Sequence, residues 1–221
     1  MQIQLLDLFD PQPLFSNFVE LKNELLVHSL SNYSRQFTHI AGTNNSGKTH
    51  LLKAWVHLAK SNKFSATYID MQVAKTSVSP SRLLQYDYIA IDNIDKLTNR
   101  QQISLFDLYN KIKQSSLSNM LLTSSCTTLD KLNLRSDLVT RLQAGLDLNL
   151  KVLDDDEILL ALNHIASNEG IGITDDGLKF LINHYNRNVG QLVIAMRNIA
   201  DTAVLEKRNI TIPLIKKALA V

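Results

Sequence analysis

Eight consecutive residues, Gly42-Thr43-Asn44-Asn45-Ser46-Gly47-Lys48-Thr49, match the spacing G-x-x-x-x-G-K-[ST] in full. The glycines let backbone N–H groups wrap an anionic group closely. Lys48 is a point charge for the β- and γ-phosphates, and the Thr49 hydroxyl is a ligand for Mg²⁺. An apolar run precedes the loop and a helical pattern follows it, so a helix N-terminus adds its dipole to the same site. A second acidic position closes the apolar run Tyr88-Ile89-Ala90-Ile91-Asp92-Asn93. In a P-loop NTPase a carboxylate there holds Mg²⁺, and Asp92 fits that role, although an aspartate can also simply end a strand. The next position ordinarily carries a carboxylate that orients the attacking water. In this sequence it is Asn93, a far weaker base, so self-driven hydrolysis is expected to be slow. Asp95 is the alternative acid, but three residues further on it more often faces solvent.

The elements that must position these groups are legible as alternating periodicities. Short apolar runs at Phe37–Ala41, Ala66–Ile69, Tyr86–Ile91, Met120–Thr123 and Gly145–Leu150 read as five strands. Helical spacing appears over about 18–30 (Leu21, Leu25, Leu26, Leu30), over Lys48–Lys60 with Leu51, Leu52, Trp55, Val56 and Ala59 on the inner stripe, and over Ile103–Ile112. Strands alternating with helices predict βαβ units and a parallel sheet. Beyond Leu153 only helical patterns remain. Asp154, Asp155 and Asp156 suit the positive end of a helix, Thr174 reads as a helix cap, and Pro213 falls in a first turn. The fold predicted is an α/β P-loop nucleotide-binding domain with a five-stranded parallel sheet, followed by a small all-helical lid. Its divisions are an N-terminal tail (1–12), the nucleotide-binding domain (13–153) and the lid (154–221).

Composition narrows the function classes. The chain has 221 residues, 45% hydrophobic and 20% charged, with 7 Gly and 4 Pro, which excludes collagen-like and low-complexity architectures. A formal charge of +2, from 23 basic and 21 acidic residues, argues against a protein built mainly to coat DNA. The lone Cys126 excludes an internal disulfide framework and a cysteine zinc cluster. The N-terminus has no basic n-region or cleavage site, and no apolar run reaches the about 18 residues of a membrane span, so a cytoplasmic protein is expected.

Taken in order, the motifs resemble the DnaA-like AAA+ family, and within it the Hda regulatory inactivators, over nearly the whole chain. Phe15-Ser16-Asn17-Phe18-Val19 is similar to the box that lies near the adenine. Gly42 to Thr49 is the Walker A loop, and Ile91-Asp92-Asn93-Ile94 matches the Hda-like Walker B, asparagine included. Leu105 to Asn110 resembles the next helix, Leu121 to Ser125 the sensor 1 strand, Asp137 to Leu142 the arginine-finger box, and Thr211 to Leu219 the last lid helix. The resemblance implies ADP or ATP with Mg²⁺, held by Phe18, Val19, Gly42, Asn45, Ser46, Gly47, Lys48, Thr49, His50, Asp92, Asn93 and Ser125, with Thr49 and Asp92 toward the metal. It implies Arg141 as a finger acting in trans on ATP bound to DnaA. Arg135 is a nearby competitor, and the plain alternative for Arg141 is an ion pair with Asp137 one turn earlier.

Three positions depart from the pattern: Asn93, Ser125 where DnaA has Asp, and Gly190 where the lid carries its sensor 2 arginine. Arg187 and Arg197 are the nearest substitutes. The resemblance therefore implies nucleotide binding as a switch, with little turnover of its own. Gln4-Leu5-Leu6-Asp7-Leu8-Phe9 resembles the peptide that docks on the DNA polymerase sliding clamp through Gln4, Leu5, Leu8 and Phe9; the plain alternative is that the tail packs on its own surface. DnaA continues into a helix-turn-helix that reads DNA, and no such segment follows Leu219, so no sequence-specific DNA reading is expected. DnaA and the clamp are the implied partners, with a homo-oligomer left open. The rivals are a helicase-loader-like AAA+ adaptor and a true ATPase or small-molecule kinase.

Overall fold

The structure is a computed structural model, and it describes residues 12–32, 36–73, 79–115, 118–185 and 187–219. One compact unit runs from Pro13 to Val152 and another begins at Leu153.

The first unit contains β1 (Phe37–Ala41), β2 (Ala66–Asp70), β3 (Tyr88–Asp92), β4 (Met120–Ser125) and β5 (Leu146–Asn149). They form one sheet in the order β2-β3-β4-β1-β5, every pair parallel. The predicted five-stranded parallel sheet is therefore the observed one. Its helices are α1 (Glu24–Asn32), α2 (Lys48–Ser61), α3 (Pro80–Leu83), α4 (Asn99–Gln114) and α5 (Ser136–Gln143).

The two faces of the sheet carry separate cores. On one face Leu51, Leu52, Trp55, Val56 and Ala59 of α2, with Leu26, Val27 and Leu30 of α1, pack with Ile40, Ala90 and Leu122. On the other, Leu105, Leu108, Tyr109 and Ile112 of α4 and Leu138 and Leu142 of α5 pack with Ile89, Ile91 and Leu121. Consecutive strand residues point to opposite faces, which is why Ile89 and Ala90 fall in different cores. Burying each Leu or Ile contributes about 1.5–3 kcal/mol. Phe37 stacks on Tyr109 at 3.9 Å between ring centroids, tying the first strand to α4.

The predicted first helix differs. Helical structure begins at Glu24, preceded by short 3-10 turns at Phe15–Asn17 and Leu21–Asn23. Asn23 is buried and exchanges two 2.9 Å hydrogen bonds with the Lys151 backbone, which fixes the chain where a longer helix would have started. Leu25, which the spacing puts on the inner face, is 85% exposed; Val27 is buried instead. The periodicity also passes over α3 and α5, whose four and eight residues are shorter than the window of about 11 over which helical spacing is read.

The second unit holds α6 (Asp155–Glu169), α7 (Asp175–His184), α8 (Val189–Glu206) and α9 (Ile212–Leu219) around Leu162, Leu178, Leu181, Leu192, Met196, Ile199 and Ile215. Asp154 caps α6 in a reciprocal box with Glu157, Thr174 caps α7 through the Gly177 N–H, and Asn188 caps α8 through the Gln191 N–H. This is the helical lid that the sequence predicts. Among the described residues no helix is long and apolar enough to cross a membrane.

Candidate nucleotide site and arginine-finger helix

The loop between β1 and α2 leaves the C-terminal edge of the sheet, where ligands of parallel α/β folds bind. Asn45 and Gly47 both take positive φ, 62° and 99°, the alternation that turns successive N–H groups inward. Gly47 is required twice over. Its φ is left-handed, and a Cβ would stand 2.7 Å from Cε2 of Phe18. Phe18 thus lies directly on the loop, tilted at 5.5 Å from His50, whose Nε2 is 2.8 Å from the Leu14 carbonyl; Val19 is half-buried beside it. Helix α2 starts with no side-chain cap, which leaves its first N–H groups for a ligand.

Lys48 is buried and its Nζ donates to the carbonyls of Gly42 and Thr43, both at 2.7 Å. Burial lowers the pKa of this ammonium from the usual lysine value, with Asp92, Asp95 and Cys126 pulling the other way. Thr49 Oγ1 donates to Asp92 Oδ2 at 2.6 Å, so the hydroxyl and the carboxylate converge, although 43 residues separate them. Ser46 Oγ is buried with no hydrogen-bond partner among the described residues. An orphaned hydroxyl beside a lysine and an uncapped helix start fits phosphate oxygens; the Thr49–Asp92 pair fits a hard cation.

Asn93 adopts φ 59°, ψ 49°, a left-handed conformation that Asn tolerates better than most residues, and its Nδ2 donates to Asp70 Oδ1 at 2.8 Å. The amide therefore ties β3 to β2. Asp95, the alternative acid, is not solvent-facing. It accepts from the Cys126 N–H at 3.1 Å and pairs with Lys96 at 3.2 Å. Burial works to raise its pKa, but these contacts outweigh that and hold it below the usual value.

Ser125 is not brought to this cluster. Strand register puts Thr123 and Ser125 on the sheet face opposite Asp92, where His39 bridges them at 2.8 and 2.9 Å. Burial drives the His39 pKa from 6.5 to about 3. The hydroxyl that does meet Asp92 belongs to Ser124, and Tyr68 OH meets it too, at 2.8 Å. Sequence reasoning missed both. Only the parity of β4 distinguishes Ser124 from Ser125, and a one-residue slip exchanges them.

Arg141 lies on α5, its guanidinium carbon 5.9 Å from the centroid of the Phe106 ring on α4, and it forms no ion pair among the described residues. The expected alternative, a pair with Asp137, does not form. Asp137 is taken by Arg135 in a two-pronged contact at 2.7 and 3.1 Å. In the lid unit, Gly190 is the second residue of α8, where an added Cβ would meet only Asn188 Oδ1, at 3.2 Å. Arg187 pairs with Asp155, and Arg197 with Glu169. Gln4, Leu5, Leu8 and Phe9 lie outside the described residues.

A family model described as the Hda lid domain matches residues 154–219. A Haemophilus influenzae relative, described as an uncharacterized protein, is 30% identical over 213 residues, which is 92% of this chain and 91% of that one. Domain III of the Thermotoga maritima replication initiation protein DnaA superposes with a TM-score of 0.72 at 20% identity, covering 95% of this chain and 96% of that one. The chain belongs to one family with this Haemophilus relative, its residues 154–219 are an Hda lid domain, and its fold is the AAA+ fold of DnaA domain III. Another DnaA structure similar to this family member, from Aquifex aeolicus and bound to AMPPCP, matches with a TM-score of 0.66 at 18% identity over 89% of this chain and 67% of that one.

Proposed function

We propose that this chain is an Hda-like regulator of replication initiation. It retains an adenine nucleotide through residues 42–49, tethers to the sliding clamp through residues 4–9, and presents Arg141 to ATP held by DnaA. Arg141 is the observation that carries this reading. It is a cation resting on an aromatic ring, with Asp137, the acid one turn earlier on its helix, already committed to Arg135, and it is therefore available to a charge outside the chain. An arginine finger stabilises the charge on the transferring phosphoryl group and is worth roughly 10³–10⁵ in rate. The chain's own site supports holding rather than turnover, since Asn93 spends its amide on Asp70 and Asp95 is pinned by Cys126 and Lys96. Thr49 and Asp92 would hold Mg²⁺, whose chemistry is to neutralise phosphate charge. Lys48, the loop N–H groups and the start of α2 bind and orient the phosphates themselves.

The test is conversion of DnaA-bound ATP to ADP with this protein, clamp and DNA added together and singly, comparing wild type with Arg141→Ala. The expected result is conversion only with protein, clamp and DNA present, lost in the variant by roughly the finger's 10³-fold. ATP untouched in every mixture would sink the reading and make helicase binding the next assay.

A further inference from the structure

Asp92 is completely buried, yet its carboxylate is satisfied by the chain itself. Oδ2 accepts from Thr49 Oγ1 at 2.6 Å and from Tyr68 OH at 2.8 Å; Oδ1 accepts from Ser124 Oγ and from the Asn93 N–H at 3.0 Å, an N–H it shares with Ser124 Oγ at 3.2 Å. Two lone pairs on each oxygen make four acceptor positions, and all are filled. Three of the donors are held by other structure. The Asn93 N–H is fixed by its left-handed backbone and by its side chain's bond to Asp70, and Ser124 is fixed by the register of β4. The Tyr68 phenol is fixed because its ring is half-buried on β2, with Lys53 Nζ 5.4 Å from the centroid. Only Thr49 belongs to the phosphate loop and is free to exchange Asp92 for another partner.

In a P-loop site this carboxylate is the group that receives the divalent cation or its water shell. Every hydroxyl bound to it disperses charge that the cation would otherwise use. We propose that Tyr68 is a positioning residue that occupies Asp92 and makes nucleotide retention nearly independent of divalent cation. The phosphate charge is then met chiefly by Lys48 and the helix start. This inference rests on the nucleotide-site reading above, and it concerns a residue that the loop motifs do not include.

The experiment is a calorimetric titration of the full chain with ADP, in Mg²⁺ and again in EDTA. For wild type the two dissociation constants are expected to agree within about threefold, whereas Tyr68→Phe binds about tenfold or more tightly in Mg²⁺ than in EDTA, the scale of one hydrogen bond to a charged group. Ser124→Ala removes a donor from the other oxygen and shifts the ratio in the same direction, so the result does not hang on one variant folding. Tyr88→Phe, on β3 with its ring against Trp55 and Phe64, keeps the wild-type ratio. A merely structural loss weakens binding in both buffers and leaves the ratio where it was. If wild type and Tyr68→Phe bind ADP with the same Mg²⁺ dependence, the role of Tyr68 is overturned and the nucleotide reading stands. If wild type binds no ADP in either buffer, both are overturned.

Discussion

His39 shows how one buried side chain can couple the sheet to solvent conditions. In the unfolded chain its imidazole takes up a proton near pH 6.5; in β1, held between Thr123 and Ser125, it does so only near pH 3. Between those values the unfolded state binds the extra proton, so stability is full above pH 6.5 and falls as the pH drops toward 3. Moving from about pH 7.5 to about pH 5.5 should cost wild type about 1 kcal/mol more than it costs His39→Gln, read from urea unfolding midpoints; identical pH dependence would remove His39 from the account. Lys48 belongs to the same scale. Lys48→Ala removes the cation and also frees the Gly42 and Thr43 carbonyls it holds, so ADP affinity should fall by about tenfold or more in a titration. An unchanged affinity would refute its phosphate role. These loop residues were legible because the motif fixes their spacing within eight positions. Tyr68 and Ser124 were not, because what makes them matter is a carboxylate on another strand.

At the scale of elements, α4 and α5 act as a pair. α4 starts at Thr98, whose hydroxyl accepts from the Gln101 N–H while the Gln101 side chain returns to the Thr98 N–H. Thr98→Ala should destabilise the protein by about 1 kcal/mol in chemical unfolding, with the slope unchanged. The helix matters to function because it carries Phe106, the ring under Arg141. α5 in turn begins with Arg135 bound to Asp137, which leaves that acid committed and Arg141 without it. The span of α2 and the starts of α6 and α7 were readable from the sequence, because helical periodicity and an Asp or Thr cap are local signals. The start of α1 was not, since it is set by Asn23 reaching the Lys151 backbone from 128 residues away.

At the scale of the molecule, the three apolar clusters do not share residues. Two are built from the sheet and its flanking helices, and the third from α6 to α9 alone. Leu162, fully buried in the third, should cost about 2–5 kcal/mol when replaced by Ala. Hydrogen exchange should then show protection lost across α6 to α9 and kept in β1 to β5. Equal loss in both regions would mean that the chain unfolds as one cooperative unit.

The sequence by itself determined the phosphate loop, the strand-and-helix alternation that demands a parallel sheet, the helical lid and the family pattern, because each is a local or strictly ordered signal. Tertiary structure alone decided which serine of β4 faces Asp92, that Asp137 takes Arg135 rather than Arg141, and that Tyr68 reaches the carboxylate. Those outcomes depend on strand register and side-chain competition. Neither leaves a trace in the spacing of residues along the chain.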